Sequence, residues 1–132
     1  MEKKIDFNIN LTYFKMAEFN QPGLPESWRK MDINLLMLVD KMRHRAGIPF
    51  RLTSAYRSQE YNDKLKNSSK NSSHIKGKAL DIAATDSRSR YLIIEAAIFY
   101  GIQRIGISKA GGFIHIDIDD TDNKPAKVAW LY

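Results

Sequence analysis

The chain has 132 residues, 43% of them apolar and 11% aromatic, so it can bury one hydrophobic core and is too apolar to be disordered. It has no cysteine, which excludes disulfide bonds and thiolate metal sites. Its formal net charge of +6 favours an anionic partner, which can be nucleic acid, membrane headgroups or cell-wall polymers. We expect a single domain over residues 1–132 and a monomer.

The longest apolar runs are far shorter than the roughly 20 residues that cross a bilayer, so we expect no membrane insertion. The N-terminal stretch MEKKIDFNINLTYFK lacks the apolar core and the cleavage site of a secretory signal. These features predict a protein made in the cytoplasm. If it acts on the cell wall, it does so after release or delivery by other machinery.

Hydrophobic periodicity predicts the elements in chain order. Aromatic residues before residue 20 (Tyr13, Phe14 and Phe19) should anchor the N-terminal segment on the core. A helix over 31–45, with Asp32 as cap and Gly47 as stop, is followed by a strand over 49–56 and a helix over 58–67 that Ser58 caps.

The polar stretch 66–74 is predicted to be a loop that leads into a strand over 78–84, and a second long helix over 86–101 ends at Gly101. Three further strands are expected at 103–108, 112–118 and 127–132, with a hairpin turn at 109–112. This order predicts an α+β fold, an antiparallel sheet with helices packed on one face.

Two short motifs carry histidine and aspartate at spacings that suit a metal site. His74 ends the polar loop, Asp81 points from one face of the strand that follows, and His115 lies within a later strand. Two imidazoles and one carboxylate leave a fourth position open, which is typical of catalytic rather than structural zinc. We therefore predict one Zn²⁺ bound by His74, Asp81 and His115, and the ligand types favour zinc over other divalent metals.

Asp117 lies two residues after His115 on the same strand face, so both side chains project together. A carboxylate at that position can accept a proton during catalysis or orient the ligand histidine. Gly77 permits a turn or close backbone approach, and Ser72 can steer His74 through a hydrogen bond. The remaining histidine, His44, and the aromatic residues Trp130 and Tyr132 are predicted to have packing roles.

The stretch SSHIKGKALDI (residues 72–82) resembles the SxHxxGxAxD signature of the zinc D-alanyl-D-alanine peptidases, and FIHIDI resembles their closing ligand segment. That resemblance implies the hedgehog-type metallopeptidase fold, zinc held by His74, Asp81 and His115, and peptidoglycan peptide as substrate.

TSAYRSQEYN is similar to a family segment whose arginine, here Arg57, holds a substrate carboxylate or polarises the scissile carbonyl. We expect Tyr56 and Ser72 to contact substrate as well, with Arg57 and Asp117 in catalysis. YFKMAEF and VAWLY resemble a short branch associated with phages.

In one respect the chain departs from the family pattern. Several branches have an acidic residue or a histidine two or three positions before the last zinc ligand, where this chain has Gly112 and Phe113. The sequence thus predicts a carboxypeptidase or endopeptidase of peptidoglycan, for wall lysis or remodelling. The alternative is a non-catalytic zinc-containing module of the same fold that binds peptidoglycan or a protein. Nucleic-acid binding has no support beyond charge, because no stacking motif or basic stripe accompanies it.

Overall fold

Within residues 10–66 and 68–132, which the computed structural model describes, five strands form one mixed sheet. The strands are β1 (Leu52–Ser54), β2 (Ala79–Ala83), β3 (Arg104–Ser108), β4 (Phe113–Asp117) and β5 (Val128–Leu131). Their order across the sheet is β1-β2-β4-β3-β5. The predicted α+β fold class is confirmed.

The helices are α1 (Ile33–Ala46), α2 (Gln59–Lys64) and α3 (Ser87–Phe99), and two short 3₁₀ helices precede them at Met16–Phe19 and Ser27–Lys30. The carboxylate of Asp32 caps α1 by accepting from the backbone N–H of Asn34, and Ser58 caps α2 in the same way. Both caps confirm the sequence prediction. The prediction for α2 ran to Asn67, which lies outside the described residues, whereas the helix itself ends at Lys64.

The sheet differs from the predicted all-antiparallel arrangement at one edge. β1, β2, β4 and β3 pair antiparallel, whereas β5 pairs parallel with β3, with Gly106 opposite Trp130. The reason is the connection of residues 118–127. After β4 the chain reverses direction, so β5 runs antiparallel to β4. β5 cannot pair with β4, because β2 and β3 already pair with its two edges, and β3 is itself antiparallel to β4. β5 therefore docks on the free edge of β3 and runs in the same direction as β3.

The two faces of the sheet differ in chemistry, as the alternation along β2 predicts. Leu80 and Ile82 are fully buried on the face that packs against α1 and α3, where they join the main hydrophobic cluster. Asp81 points to the other face, which carries the polar groups described below. The N-terminal segment is anchored to the same core by Phe14 and Phe19, both buried, while Tyr13 is partly exposed and hydrogen-bonds to His44.

The loop before β2 depends on a glycine. Gly77 has φ of +68°, and a Cβ there would lie 2.1 Å from the carbonyl oxygen of Lys30. The predicted turn and close backbone approach are both present, and any side chain at this position would displace the segment before α1. No helix in the described part of the chain is long and apolar enough to span a membrane.

Candidate metal centre

Pairing of β2 with β4 sets two of the candidate ligands side by side. Asp81 lies directly opposite His115 in the register, and the loop before β2 brings His74 over the same face. One ligand atom from each of the three side chains lies within 4.8 Å of the other two, and all three residues are buried. The structure thus brings together the residues that the sequence motifs predicted.

His74 is held in one orientation by the backbone. Its Nδ1–H donates to the carbonyl oxygen of Ala55 at 2.7 Å, which leaves Nε2 without a proton and 3.3 Å from Oδ1 of Asp81. Burial lowers the pKa of His74, although Asp81 opposes the shift. A neutral imidazole whose free nitrogen faces a carboxylate is ready to bind a metal ion.

His115 is oriented by carboxylates on both ring nitrogens. Nδ1 lies 2.9 Å from Oδ1 of Asp81, and Nε2 lies 2.7 Å from Oδ2 of Asp117. Burial lowers the pKa of His115, but the hydrogen bonds to Asp117 and Asp81 outweigh burial and leave it raised. A metal ion therefore competes with a proton for Nδ1 of His115.

Asp117 is positioned behind His115, on the ring nitrogen that faces away from the ligand cluster. It is 1% exposed, and its other oxygen accepts from Nε of Arg104 at 2.7 Å and from the backbone N–H of Asp119 at 3.1 Å. Both oxygens are thus engaged. This geometry matches the orienting role foreseen for Asp117, and its role as a proton acceptor stays a prediction.

Asp81 is the carboxylate shared by both histidines. Burial opposes its ionisation, but the interactions of the carboxylate with His115 and His74 outweigh burial and hold the pKa of Asp81 below its ordinary value. It is therefore ionised at neutral pH. An ionised carboxylate between two imidazoles is a donor set that zinc accepts.

Arg57 lines the same cleft, as the resemblance of its segment to the family motif led us to expect. Its Nε donates to Ser54 Oγ at 2.9 Å, Nη1 to Asn62 Oδ1 at 3.2 Å, and Nη2 lies 3.5 Å from Oδ2 of Asp81. Burial lowers the pKa of Arg57, against the effect of Asp81. The guanidinium is thus fixed beside the ligand cluster with its charge available to a substrate carboxylate or carbonyl.

Of the two other residues predicted to contact substrate, Ser72 and Tyr56, the structure places Ser72 at the cleft and Tyr56 away from it. Ser72 lines the cleft, and its Oγ accepts from the backbone N–H of His74 at 3.3 Å, as foreseen. Tyr56 instead lies in the hydrophobic core, 7% exposed, and is not among the described residues that line the cleft. Neighbouring residues after a strand commonly face opposite sides, and here Arg57 takes the cleft side.

An open cleft of about 660 Å³ lies over the three ligands. The residues that line it include the serines of the 68–73 loop and the aromatic residues Phe113, Trp130 and Tyr132. Its described cationic side chains are Arg57, Lys66, Arg104 and Lys124, against the two carboxylates Asp81 and Asp117. This charge balance suits a substrate that carries a carboxylate.

Asp119 supports the site, and our sequence reasoning gave it no role. Its carboxylate is 2% exposed and accepts from Ser73 Oγ at 2.7 Å, Lys124 Nζ at 2.9 Å and Lys76 Nζ at 3.2 Å. Burial opposes its ionisation, but hydrogen bonds from Thr121, Lys124 and Ser73 hold the pKa of Asp119 below its ordinary value. Asp119 thereby ties the loop that carries His74 to the end of β4. Its position two residues after Asp117 was the signal available in the sequence.

The donor set and the cleft together define a class of site. Three buried nitrogen and oxygen ligands, oriented by Ala55 and Asp117, face an open cleft, which is the arrangement of a catalytic rather than a structural zinc centre. The residues present therefore fit a zinc ion, and the site belongs to the class of catalytic zinc centres.

Comparison with known families agrees with this class. The peptidase M15 family model matches residues 11–117, most of the chain. The chain belongs to the peptidase M15 family, and the resemblance seen in the motifs is confirmed. A search among curated proteins returned no match. All three candidate ligands lie inside the matched residues, whereas β5 lies beyond them.

Proposed function

We propose that this chain is a zinc-dependent peptidase that hydrolyses peptide bonds of bacterial peptidoglycan. The bond is of the D-Ala-D-Ala type cut by a carboxypeptidase, or a bond of the stem or cross-link cut by an endopeptidase. One observation carries the proposal: the buried cluster of His74, Asp81 and His115 opens onto a cleft large enough for a short peptide. Membership of the peptidase M15 family supports it.

The proposed metal ligands are Nε2 of His74, the Asp81 carboxylate and Nδ1 of His115. Zinc bound there would supply Lewis acidity toward the scissile carbonyl and activate water near neutral pH. Ala55 keeps His74 in the tautomer that leaves Nε2 free, and Asp117 holds the ring of His115 by its other nitrogen. These contacts fix the directions of both imidazoles before any metal binds.

Arg57 is proposed to bind substrate. Its guanidinium lies beside Asp81 in the cleft and can pair with a terminal carboxylate of the peptide or polarise the scissile carbonyl. Ser72 is proposed to act through the loop, because it hydrogen-bonds to the backbone of His74. The formal charge of +6 would keep the protein near an anionic wall, which it reaches after release or phage delivery.

A specific observation sustains the alternative of a binding module. Among the described residues that line the cleft, the carboxylates are Asp81 and Asp117, and each is already hydrogen-bonded to histidine. A proton acceptor for hydrolysis is therefore not evident. In such a module the zinc site and the cleft would serve to hold a wall peptide rather than to cut it.

The test is digestion of purified peptidoglycan by freshly purified protein, with mass spectrometry of the released fragments. The reactions compare untreated protein, protein stripped with a chelator and stripped protein resupplied with zinc. We expect zinc to restore release of D-alanine or of cleaved stem peptides. Intact wall, despite one bound zinc per chain, would refute the peptidase and favour the binding module.

The histidines of the chain offer a matched control. His115→Gln should abolish both zinc binding and cleavage, because it removes a ligand atom from the cluster. His44→Gln makes the same substitution at a residue of α1 that contacts Tyr13 and does not line the cleft, so both properties should be retained. Equal losses in the two variants would indicate that the substitutions act through folding rather than through the site.

A further inference from the structure

The aromatic edge strand β5 lies beyond the residues that the family model matches and still forms part of the cleft. Trp130 and Tyr132 alternate along the end of this segment, and both line the cleft that holds the metal ligands. The backbone N–H of Tyr132 donates to the carbonyl oxygen of Ile107 at 3.0 Å, so the parallel pairing with β3 continues to this residue. Pairing on the edge of β3 is what brings these rings to the site.

Gly106 makes room for both rings. A Cβ at this position would lie 2.7 Å from Nε1 of Trp130 and 2.8 Å from Cε2 of Tyr132. Gly106 is also the residue opposite His115 in the pairing of β3 with β4. The missing side chain thus lets the aromatic rings settle on the sheet face directly beside a metal ligand.

Ring contacts hold Tyr132 in place although much of the residue is exposed to solvent. Its centroid lies 5.3 Å from that of Phe113 and 6.3 Å from that of Trp130, and Trp130 in turn lies 5.4 Å from His115. The residue is 65% exposed and lines the cleft, so its side chain is accessible to a ligand bound there. A positioned ring with an accessible hydroxyl is suited to hydrogen bonding with substrate.

The electrostatic surroundings keep the phenol protonated. Burial of part of the ring raises the pKa of Tyr132, and the negative charge of Asp81 raises it further. The hydroxyl is therefore a hydrogen-bond donor at neutral pH. The indole N–H of Trp130 donates to the phenol oxygen and partly opposes this rise, and because the indole donates, the phenol O–H is left to donate to substrate.

We propose that Tyr132 is a catalytic residue whose phenol donates a hydrogen bond to the substrate oxygen that becomes negatively charged as the scissile carbonyl turns tetrahedral. The proton stays on the phenol, and no bond to the protein forms. Such a donor lowers the barrier because it binds the developing charge more strongly than the neutral carbonyl. This inference rests on the proposed peptidase function.

The experiment compares Tyr132→Phe with wild type and with Tyr91→Phe, all loaded with zinc. Tyr91 is a matched control, since it is similarly exposed at 68%, lies on α3 and does not line the cleft. The first readout is the affinity for a phosphinate analogue of D-Ala-D-Ala, whose anionic tetrahedral centre imitates the charged oxygen, measured by calorimetry beside the affinity for D-Ala-D-Ala itself. The second readout is turnover of the bond identified in the digestion.

We expect Tyr132→Phe to weaken phosphinate binding and to lower kcat by about 10- to 100-fold, the effect of one hydrogen bond to a charged group. KM, dipeptide affinity and zinc content should be unchanged, and Tyr91→Phe should match wild type. An unchanged phosphinate affinity, a change in KM alone, or a loss of bound zinc would each overturn the proposal. If wild type binds the phosphinate but never cleaves, the peptidase function fails, and the binding comparison still decides whether the phenol donates to a tetrahedral anion.

Discussion

Replacing Asp117 by asparagine separates the two roles that this carboxylate can have. The wild-type side chain uses Oδ2 for His115 and Oδ1 for Arg104 and the backbone of Asp119. Asparagine keeps the size but offers one acceptor oxygen, so one of these sets of hydrogen bonds must be lost. If that oxygen turns to Arg104, the NH₂ group faces Nε2–H of His115, and two donors then oppose each other.

The expected cost follows from these contacts. A hydrogen bond to a charged partner contributes about 1.5 to 3 kcal/mol, and loss of a carboxylate behind a ligand histidine typically lowers metal affinity by about 10- to 100-fold. We therefore expect Asp117→Asn to bind zinc about 10- to 100-fold more weakly. Because both oxygens of Asp117 are already engaged by His115, Arg104 and the backbone of Asp119, we expect its orienting role to dominate, and kcat at saturating zinc should fall by less than about tenfold.

Competition with a chromogenic chelator measures the zinc affinity, and turnover is then recorded as a function of free zinc. Asp117→Ala is the companion variant, since it removes both acceptor oxygens and should bind zinc more weakly still. The reasoning is refuted if Asp117→Asn binds zinc as tightly as wild type but loses turnover that no zinc concentration restores. That outcome would identify Asp117 as the proton acceptor.

Two further predictions concern residues around the ligands. Arg57→Lys keeps the positive charge but cannot make the three hydrogen bonds of the guanidinium to Ser54, Asn62 and Asp81. We therefore expect kcat/KM to fall by about tenfold or more while the zinc content is unchanged. An unaltered kcat/KM would show that Arg57 does not bind substrate. Asp119→Asn should lower the free energy of unfolding at pH 7 by about 1.5 to 3 kcal/mol in chelator-treated protein, measured with denaturant. Since the pKa of Asp119 lies below its ordinary value, its stabilisation is fully present above the unfolded pKa of about 3.9 and is lost progressively as pH falls from there toward the lower folded-state pKa. The difference in free energy of unfolding between wild type and Asp119→Asn should therefore begin to narrow near about pH 4 and keep narrowing at lower pH. A gap that is constant or widens on acidification would contradict this account.

Local sequence signals were sufficient for most elements of the fold. Asp32 and Ser58 mark the starts of helices because their side chains satisfy backbone N–H groups that the helix leaves unpaired. The alternation along β2 predicts which side chains enter the core and which face the cleft. The parallel pairing of β5 was not predictable in this way, since it depends on which edge of the sheet remains free once β4 has paired.

The same distinction between local sequence signals and tertiary structure applies to the candidate site. Residue type and motif spacing by themselves were enough to predict that His74, Asp81 and His115 come together as a candidate metal-ligand set, because the chemistry of a site resides in its side chains. Tertiary structure alone decided that Tyr56 turns into the core and that Asp119 links the His74 loop to β4. It also placed Tyr132 in the cleft. These placements depend on packing and pairing between segments that are distant in sequence. They therefore cannot be predicted from the local sequence around Tyr56, Asp119 or Tyr132.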